Sequence, residues 1–379
     1  EGDKAELNAD VVYLNFGTEA EFAKANVKGK IVFVKAGVDG QTNPQAWYMA
    51  GQEKRKRAAD KGALALVEFY SNQQLPWKLL VNYFKGGGVT LDNSASQPAQ
   101  MPHLWMHDPD WKEAAFWAAN KQKTKAQVKI GGIKEDKFTT YNVVGYLEGT
   151  DPKLKDEYVT YSAHYDHVGV GKPDAEGDTI YNGARDNAVG TVTVLAAAEN
   201  MGRYPTKRPA LFVLFTGEEK GLLGSEWFVD HSPVEMKKIV YCFNSDNAGY
   251  NDTSLVTLFG LTRTTAEPYI KQAAEAYGLK AIEDPAPEQG LFDRSDNVNF
   301  AKKGVPAPTF SMGFTSFSGT VTKFYHQAAD GPATLDYDYL FKFFSSYVYA
   351  CRLIANAPER PFWKPGDKYY EAGKKLYGK

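Results

Sequence analysis

Two carboxylates stand side by side at the end of an apolar stretch of this chain. The segment LFVLF, residues 211–215, is followed by Thr-Gly and then directly by Glu218 and Glu219. Adjacent carboxylates beside a buried strand repel each other and lose hydration. A nearby cation removes that conflict, and a solvated loop is the alternative. The pair therefore indicates a cation site if further ligand types lie close by.

Other polar clusters also follow apolar stretches, and they contain the remaining candidate ligands. The motifs are SAHYDHVG with His164, Asp166 and His167, GARDNAVG with Asp186, FNSDNAG with Asp246, and FYHQAADGP with Tyr325 and His326. Imidazole nitrogens and carboxylate oxygens are ligands that zinc accepts. Taken singly, Asp186 could cap a helix, Asp246 could belong to a turn and His164 could be a hydrogen-bonded structural residue. Their joint occurrence is what favours a metal site.

The segments that carry these motifs alternate between two kinds of element. From residue 141 onward, EYVTYSAHYDHVG, RPALFVLFTGEE, KIVYCFNSDNAG and APTFSMG are typical of apolar strands. The segments NAVGTVTVLAAAENMGRY, EPYIKQAAEAYGL and DYDYLFKFFSSYVYACRLIANA are typical of helices. This alternation predicts an α/β fold, in which a mixed, mostly parallel sheet has helices on both faces. Sites in such sheets form outside the carboxyl ends of the strands, where the polar clusters fall.

The residues before this region show a different pattern of short strands, loops and a few helices. GKIVFVKAG and ALALVEFY predict strands, and AWYMAGQEKRKRAADKGA predicts a helix with a charged, exposed face. FKGGGVTLDNSASQPAQ, residues 84–100, predicts a loop. We therefore predict two domains, a smaller β-rich domain at 1–137 and a larger α/β domain at 138–379.

Composition limits the classes of partner. The chain has 379 residues, of which 43% are hydrophobic, and a net charge of −2. That charge favours neither nucleic acid nor an anionic membrane surface. No stretch approaches the roughly 18 uninterrupted apolar residues of a membrane-spanning helix. Two cysteines far apart in sequence, Cys242 and Cys351, exclude a dense disulfide framework and predict buried free thiols.

The motifs, taken in order over about residues 141–357, resemble the di-zinc aminopeptidase family. That family also contains glutamate carboxypeptidase, glutaminyl cyclase and the non-enzymatic transferrin receptor. The resemblance implies the zinc exopeptidase fold, which is phosphorylase/hydrolase-like, with two zinc ions per chain. GKIVFVKAG and ADKGALALVEFY give residues 1–137 a weaker resemblance to a protease-associated domain.

The resemblance implies five metal ligands in this chain. One zinc would be held by His164 and Asp246, the other by Glu219 and His326, and both would be bridged by Asp186.

Three further residues receive catalytic roles by the same resemblance. Glu218 would be the general base, and Tyr325 would donate a hydrogen bond to the oxyanion, a packed aromatic being the alternative for Tyr325. The carboxylate of Asp166 would orient the imidazole of His164. His167 has no counterpart among the family's ligands and is interpreted as an accessory or surface residue.

Two positions depart from the family pattern. Arg185 precedes the bridging position where relatives have a small residue, Asn or Asp, so it could pair with Asp186 or with a substrate carboxylate. Asn297 stands where many relatives have His, which leaves the role of the DRSDNVNF segment open.

The function expected first is a zinc-dependent aminopeptidase that releases N-terminal residues from peptides. A carboxypeptidase for acidic peptides is the second hypothesis and would need basic residues such as Arg185 and Arg294. A single-metal cyclase and a receptor-like binding module would also fit the family, but the complete ligand set disfavours both. Protease-associated domains usually accompany exported enzymes, so we expect a periplasmic, extracellular or lipid-anchored protein, with an intracellular location still open.

Overall fold

The computed structural model describes residues 4–85, 87–92, 101–120, 124–131 and 136–378. Contacts divide the chain into two compact units, unit 1 at Glu1–Phe138 and unit 2 at Thr139–Lys379. The end of the predicted loop at 84–100, residues 93–100, lies outside the described residues. Each unit has its own sheet and its own apolar clusters.

Unit 1 is built on a five-stranded sheet in the order β4-β3-β2-β1-β5. Its strands are β1 Ala5–Tyr13, β2 Ile31–Lys35, β3 Ala65–Tyr70, β4 His103–His107 and β5 Lys125–Ile130. Its helices are α1 Glu19–Lys24, α2 Pro44–Asp60, α3 Trp77–Lys85 and α4 Lys112–Ala119. Strands β1 to β4 pair in parallel, and β5 pairs antiparallel with β1. The predicted strands at β2 and β3 and the predicted helix at α2 are therefore present.

Unit 2 contains a seven-stranded sheet in the order β13-β12-β14-β11-β7-β10-β6. Its strands are β6 Val143–Leu147, β7 Tyr158–His164, β10 Ala210–Phe215, β11 Ile239–Ser245, β12 Leu255–Phe259, β13 Lys280–Glu283 and β14 Thr309–Met312, and a separate pair consists of β8 Gly169–Val170 and β9 Ile180–Tyr181. The central strands β14, β11, β7 and β10 are parallel to one another. Strand β6 joins antiparallel, and β12 pairs antiparallel with β14. The mixed, mostly parallel sheet predicted from sequence is confirmed.

Helices cover both faces of this sheet. The helices of unit 2 are α5 Gly190–Arg203, α6 Leu223–His231, α7 Glu267–Ala276, α8 Asn297–Lys303, α9 Thr320–Phe324, α10 Tyr337–Asn356 and α11 Tyr370–Tyr377. Alternate residues of β10 show why both faces are apolar, since side chains alternate across a strand. Phe212 packs in the cluster with α5, α7 and α10, whereas Val213 and Phe215 pack with Phe228 of α6 and Phe300 of α8.

The free thiols predicted from sequence are confirmed. Cys242 lies on β11 and Cys351 on α10, and both are buried and unpaired. Within the described residues, no helix combines the length and the apolar character needed to cross a membrane.

A buried cluster of charged and polar side chains in unit 1 packs closely against a helix glycine, Gly51. Glu68 contacts Nζ of Lys54 at 3.0 Å through one oxygen and Nε2 of His103 at 2.7 Å through the other, and all three side chains are at most 3% exposed. A Cβ on Gly51 of α2 would lie 2.7 Å from Oε1 of Glu68 and 3.3 Å from Cε1 of His103. The glycine therefore leaves the space that this ion pair occupies.

We expect Gly51→Ala to lower the free energy of unfolding of unit 1 by about 1–3 kcal/mol, because overpacking exceeds the gain in helix propensity. The matched control is Gly202→Ala in α5, where a Cβ meets no atom within 4 Å. This control should stabilise unit 2 by about 0.4–1 kcal/mol. Hydrogen exchange of unit 1 and unit 2 peptides during thermal unfolding measures both effects. A Gly51→Ala variant as stable as the parent would contradict the expectation.

Candidate metal centre

The register of the central strands brings the predicted ligands together. His164, the last residue of β7, lies directly beside Phe215, the last residue of β10. Glu218 and Glu219 follow β10 after a two-residue turn, and Asp246 follows the last residue of β11. Because β7, β10 and β11 are parallel, their carboxyl ends meet at one edge of the sheet.

His164 lies at the centre of one group of ligand atoms. Its Nε2 is 3.2 Å from Oδ1 of Asp246, 3.3 Å from Oδ1 of Asp186 and 4.0 Å from Oε2 of Glu218. The other ring nitrogen, Nδ1, donates to the backbone carbonyl of Asp166 at 3.0 Å. This hydrogen bond fixes the tautomer and leaves Nε2 facing the carboxylates.

A second group forms around the other carboxylate of the Glu pair. Nε2 of His326 is 3.0 Å from Oε2 of Glu219 and 3.2 Å from Oδ2 of Asp186. The two oxygens of Asp186 therefore face different imidazoles, His164 and His326. Asp186 lies in the segment Ala184–Val189, which leads into α5, and its own backbone angles are not helical (φ −112°, ψ 86°). Its placement is the one a bridging ligand needs.

Asp166 acts differently from the sequence prediction. Its carboxylate is 3.8 Å from Nδ1 of His164, and the backbone carbonyl of the same residue takes the hydrogen bond instead. The carboxylate accepts the backbone N–H groups of Glu218 and Glu219 at 3.1 and 3.2 Å. Asp166 thus orients His164 through its backbone and holds the Glu pair through its side chain.

The pKa values in this cluster reflect burial and the closeness of the carboxylates to one another and to the imidazoles. Burial, followed by the charge of Asp246, raises the pKa of Glu218 well above its usual value. Burial acts against the charge of Asp186, but hydrogen bonding to His164 and His326 outweighs it and lowers the pKa of Asp186. Burial also disfavours the charged form of His326, yet contacts with Asp186 and Glu219 raise its pKa to about 9.

The donor set fits zinc. The ligand atoms form two clusters, and within each cluster they lie within 4.8 Å of one another. One cluster contains His164, Glu218 and Asp246, and the other contains His167, Asp186 and Glu219. Among the described residues, no lysine or arginine forms an ion pair with Asp186, Glu218, Glu219 or Asp246. Oε1 of Glu219 is buried without a hydrogen-bond partner. Crowded carboxylates that lack a Lys or Arg partner are costly to bury, and a cation bound by these oxygens and imidazoles removes that cost.

A small cavity opens onto the metal centre. It is lined by Asp186, Glu218, Asp246, Ala248, Phe259, Leu291, Arg294, Ser295, Tyr325 and His326. The hydroxyl of Tyr325 accepts a hydrogen bond from Nη2 of Arg294 at 3.2 Å. Burial, followed by the charge of Asp186, raises the pKa of Tyr325, so the phenol keeps its proton. Tyr325 therefore lines the site with a hydroxyl available as a donor.

Arg185 contacts neither of the partners expected from sequence. Its guanidinium donates to Oδ1 of Asp330 at 2.9 Å and to Oγ1 of Thr334 at 2.7 Å, and it stacks 3.8 Å from the ring of Phe324. The side chain is 3% exposed. A cation enclosed in this way is unavailable to Asp186 or to a substrate carboxylate. Its role is structural, with Asp330 as the partner that sequence reasoning missed.

The structure distinguishes the two interpretations of His167 made from the sequence, and it excludes a surface position. Only 9% of its side chain is exposed, and its Nδ1 is 2.8 Å from Oε1 of Glu219. It is therefore part of the centre rather than a surface residue. The sequence feature that indicates this placement is the position of His167 three residues after His164, just beyond the end of β7. Asn297, by contrast, is structural, since it is buried and donates to the carbonyl of Ala307 at 3.0 Å.

Comparison with known proteins agrees with this geometry. The sequence model of Peptidase family M28 matches residues 142–350, more than half of the chain. The chain belongs to peptidase family M28. The matched region covers β7, the Glu pair, Asp246 and His326 and lies within unit 2.

Relatives of this M28 chain include proteins named as aminopeptidases. Aminopeptidase YwaD of Bacillus subtilis is 26% identical over 330 residues, covering 86% of this chain and 62% of that protein. The probable leucine aminopeptidase of Arthroderma benhamiae is 27% identical over 250 residues, covering 63% of each chain. The chain thus spans less than two thirds of the length of these curated relatives.

Solved structures show the same fold. The aminopeptidase from Aneurinibacillus sp. strain AM-1 superposes with a TM-score of 0.60 at 21% identity, covering 97% of this chain and 79% of that one. A zinc aminopeptidase from Bacillus subtilis superposes with a TM-score of 0.53 at 22% identity, covering 93% of this chain and 77% of that one.

Proposed function

We propose that this protein is a zinc-dependent aminopeptidase that releases N-terminal residues from peptides. The observation that carries the proposal is the position of Asp186 between two ligand groups, with one oxygen toward His164 and the other toward His326. The names of the M28 relatives support the aminopeptidase assignment.

Two zinc ions would be held by the residues named from sequence. His164 and Asp246 would hold one, Glu219 and His326 the other, and Asp186 would bridge them. When bound there, zinc supplies Lewis acidity that activates water and polarises a carbonyl.

Glu218 is the residue proposed to move protons. Its carboxylate lines the cavity beside Asp186 and Asp246, while its backbone N–H is held by Asp166. It would accept the proton of the attacking water and pass it to the leaving amine. The tether to Asp166 keeps the side chain of Glu218 facing the cavity during both transfers.

Tyr325 is proposed to stabilise the developing oxyanion. Its hydroxyl lines the same cavity, and Arg294 donates to the phenol oxygen. That hydrogen bond leaves the phenol proton free to be donated to the substrate and increases its acidity. The positive charge of Arg294 would therefore strengthen the hydrogen bond that Tyr325 donates to the oxyanion.

Metal content tests the ligand assignment. Protein purified without chelator and saturated with zinc should contain about two zinc ions per chain by mass spectrometry. Removing zinc with EDTA should lower the melting temperature, because each site adds about 2.7 kcal/mol when free zinc is 100-fold above its Kd. A content near one would favour the single-metal cyclase, and a content near zero would favour a binding module.

Peptide hydrolysis tests the aminopeptidase assignment. We expect a zinc-loaded sample to release the first residue of a free-amine peptide and to leave its N-acetylated twin intact. A carboxypeptidase would cleave both of these peptides at the other end and would spare a peptide whose C-terminus is an amide. Burial of Arg185 already removes one of the two basic residues which that alternative needs.

Two further assignments remain proposals for the protein as a whole. Unit 1 is proposed to be a protease-associated domain, on the strands β2 and β3 that carry the sequence resemblance. Export is proposed on the same basis. Fractionation of the native host, probed with an antibody to this chain, would test the location.

A further inference from the structure

His167 is the one histidine near the metal centre that has no counterpart in the predicted ligand set. Both of its ring nitrogens are buried and have no hydrogen-bond partner. Nδ1 of His167 lies 2.8 Å from Oε1 of Glu219, but the pair does not meet hydrogen-bond geometry, and Oε1 has no other hydrogen-bond partner. Buried polar atoms that face each other without bonding indicate a missing third partner.

The backbone beneath His167 is shaped to seat its ring. A Cβ on Gly183 would lie 2.6 Å from Cγ and 2.9 Å from Cδ2 of His167. Gly183 has a φ of 63°, a conformation that glycine adopts without strain. The same glycine begins the turn that carries Asp186. The ring of His167 is therefore held against the segment that supplies the bridging carboxylate.

The ring of His167 also lies beside that of His326. The two centroids are 5.6 Å apart at an interplanar angle of 72°. Each imidazole directs a nitrogen to a different oxygen of Glu219, Nδ1 of His167 to Oε1 and Nε2 of His326 to Oε2. His167, Asp186 and Glu219 each offer one ligand atom, and these three atoms lie within 4.8 Å of one another.

We propose that His167 is a fourth protein ligand of the zinc held by Glu219, His326 and Asp186. This inference rests on the proposed function and deepens it, because it makes the two zinc positions chemically unequal. Four protein donors complete the tetrahedral shell that zinc adopts in closed sites. The position at His164 and Asp246 has fewer donors and keeps room for water and substrate.

The expected consequence is stepwise loading. The first zinc equivalent should enter the closed position, since it offers two imidazoles and two carboxylates. The second should bind more weakly at the position of His164 and Asp246. The singly loaded protein should therefore hold its zinc beside His167.

X-ray absorption of the wild-type chain loaded with one zinc equivalent tests the ligand set directly. The outer-shell scattering should count two imidazoles per zinc, and the crystal structure of the doubly loaded protein should place Nδ1 of His167 about 2.0–2.1 Å from zinc. A count of one imidazole, or an Nδ1 more than about 3 Å from zinc, would overturn the proposal.

Chelator competition gives a second readout. In His167→Ala the tighter zinc Kd should rise by at least about ten-fold, while the weaker Kd stays at the wild-type value. The matched control is His231→Ala, an exposed imidazole on α6 that stacks on Trp227 and should leave both constants unchanged. Unchanged constants in His167→Ala would also overturn the inference.

The outcomes separate this inference from the proposed function. The fourth ligand alone would be refuted if the wild-type chain binds two zinc ions and hydrolyses peptides, while His167→Ala has the same two zinc Kd values as the wild type. A wild-type chain that binds no zinc would refute both.

Discussion

Replacing Glu218 by Gln should lower kcat for peptide hydrolysis by about 10²–10⁴-fold, the range that a positioned general base contributes. The amide keeps the size of the side chain but cannot take the proton from water. KM should change little, because Glu218 would act on the water rather than on the ground-state substrate. Steady-state kinetics on a free-amine peptide, with zinc content measured in the same sample, checks both parts.

The control for this variant is Glu226→Gln on α6, an exposed carboxylate outside the cavity lining. It should retain wild-type kinetics. The zinc content of Glu218→Gln decides between two roles, since Glu218 also lies in the ligand group of His164 and Asp246. Two zinc ions with lost turnover support the base. Loss of one zinc would make Glu218 a ligand, and full turnover would refute the mechanism.

The second large effect is expected at Asp330, a buried residue that binds both the side chain of Arg185 and the backbone of the segment that carries Asp186. Oδ1 of Asp330 accepts Nη1 of Arg185 at 2.9 Å, and Oδ2 accepts the backbone N–H groups of Arg185 and Asp186 at 2.9 and 3.2 Å. Its side chain is 1% exposed. Asp330→Ala should lower the free energy of unfolding of unit 2 by about 3–5 kcal/mol, because it leaves the Arg185 cation buried without a counter-charge.

An exposed ion pair in the same unit provides the control. Arg203 and Glu199 form an i,i+4 pair on α5 with side chains 70% and 67% exposed. Glu199→Ala should cost only about 0.3–0.5 kcal/mol. Urea unfolding monitored by hydrogen exchange of unit 2 peptides measures both variants. If Asp330→Ala and Glu199→Ala lower the free energy of unfolding equally, the buried ion pair stabilises unit 2 no more than the exposed pair does.

The site combines charge compensation with preorganisation. Asp166 fixes the Glu pair through two backbone hydrogen bonds, and Asp330 fixes the turn that carries Asp186 through two more. These four hydrogen bonds hold the Glu pair and the segment of Asp186 in place, which would reduce the reorganisation needed on metal binding.

The sequence by itself determined the ligand types and the elements that carry them. Apolar strands that end in His164, the Glu pair and Asp246 specify a site at the carboxyl edge of a parallel sheet, because strand ends are local features. Alternating apolar segments likewise specify a sheet with helices on both faces.

Only the tertiary structure decided which polar groups meet. Arg185 pairs with Asp330, 145 residues away, rather than with its neighbour Asp186. His167 turns inward toward Glu219 because Gly183 leaves space for its ring. Such partners come from segments distant along the chain, and local pattern contains no information about which of them packing will bring into contact. The sequence therefore specified which chemical groups the site could contain, and packing specified which of these groups contact one another.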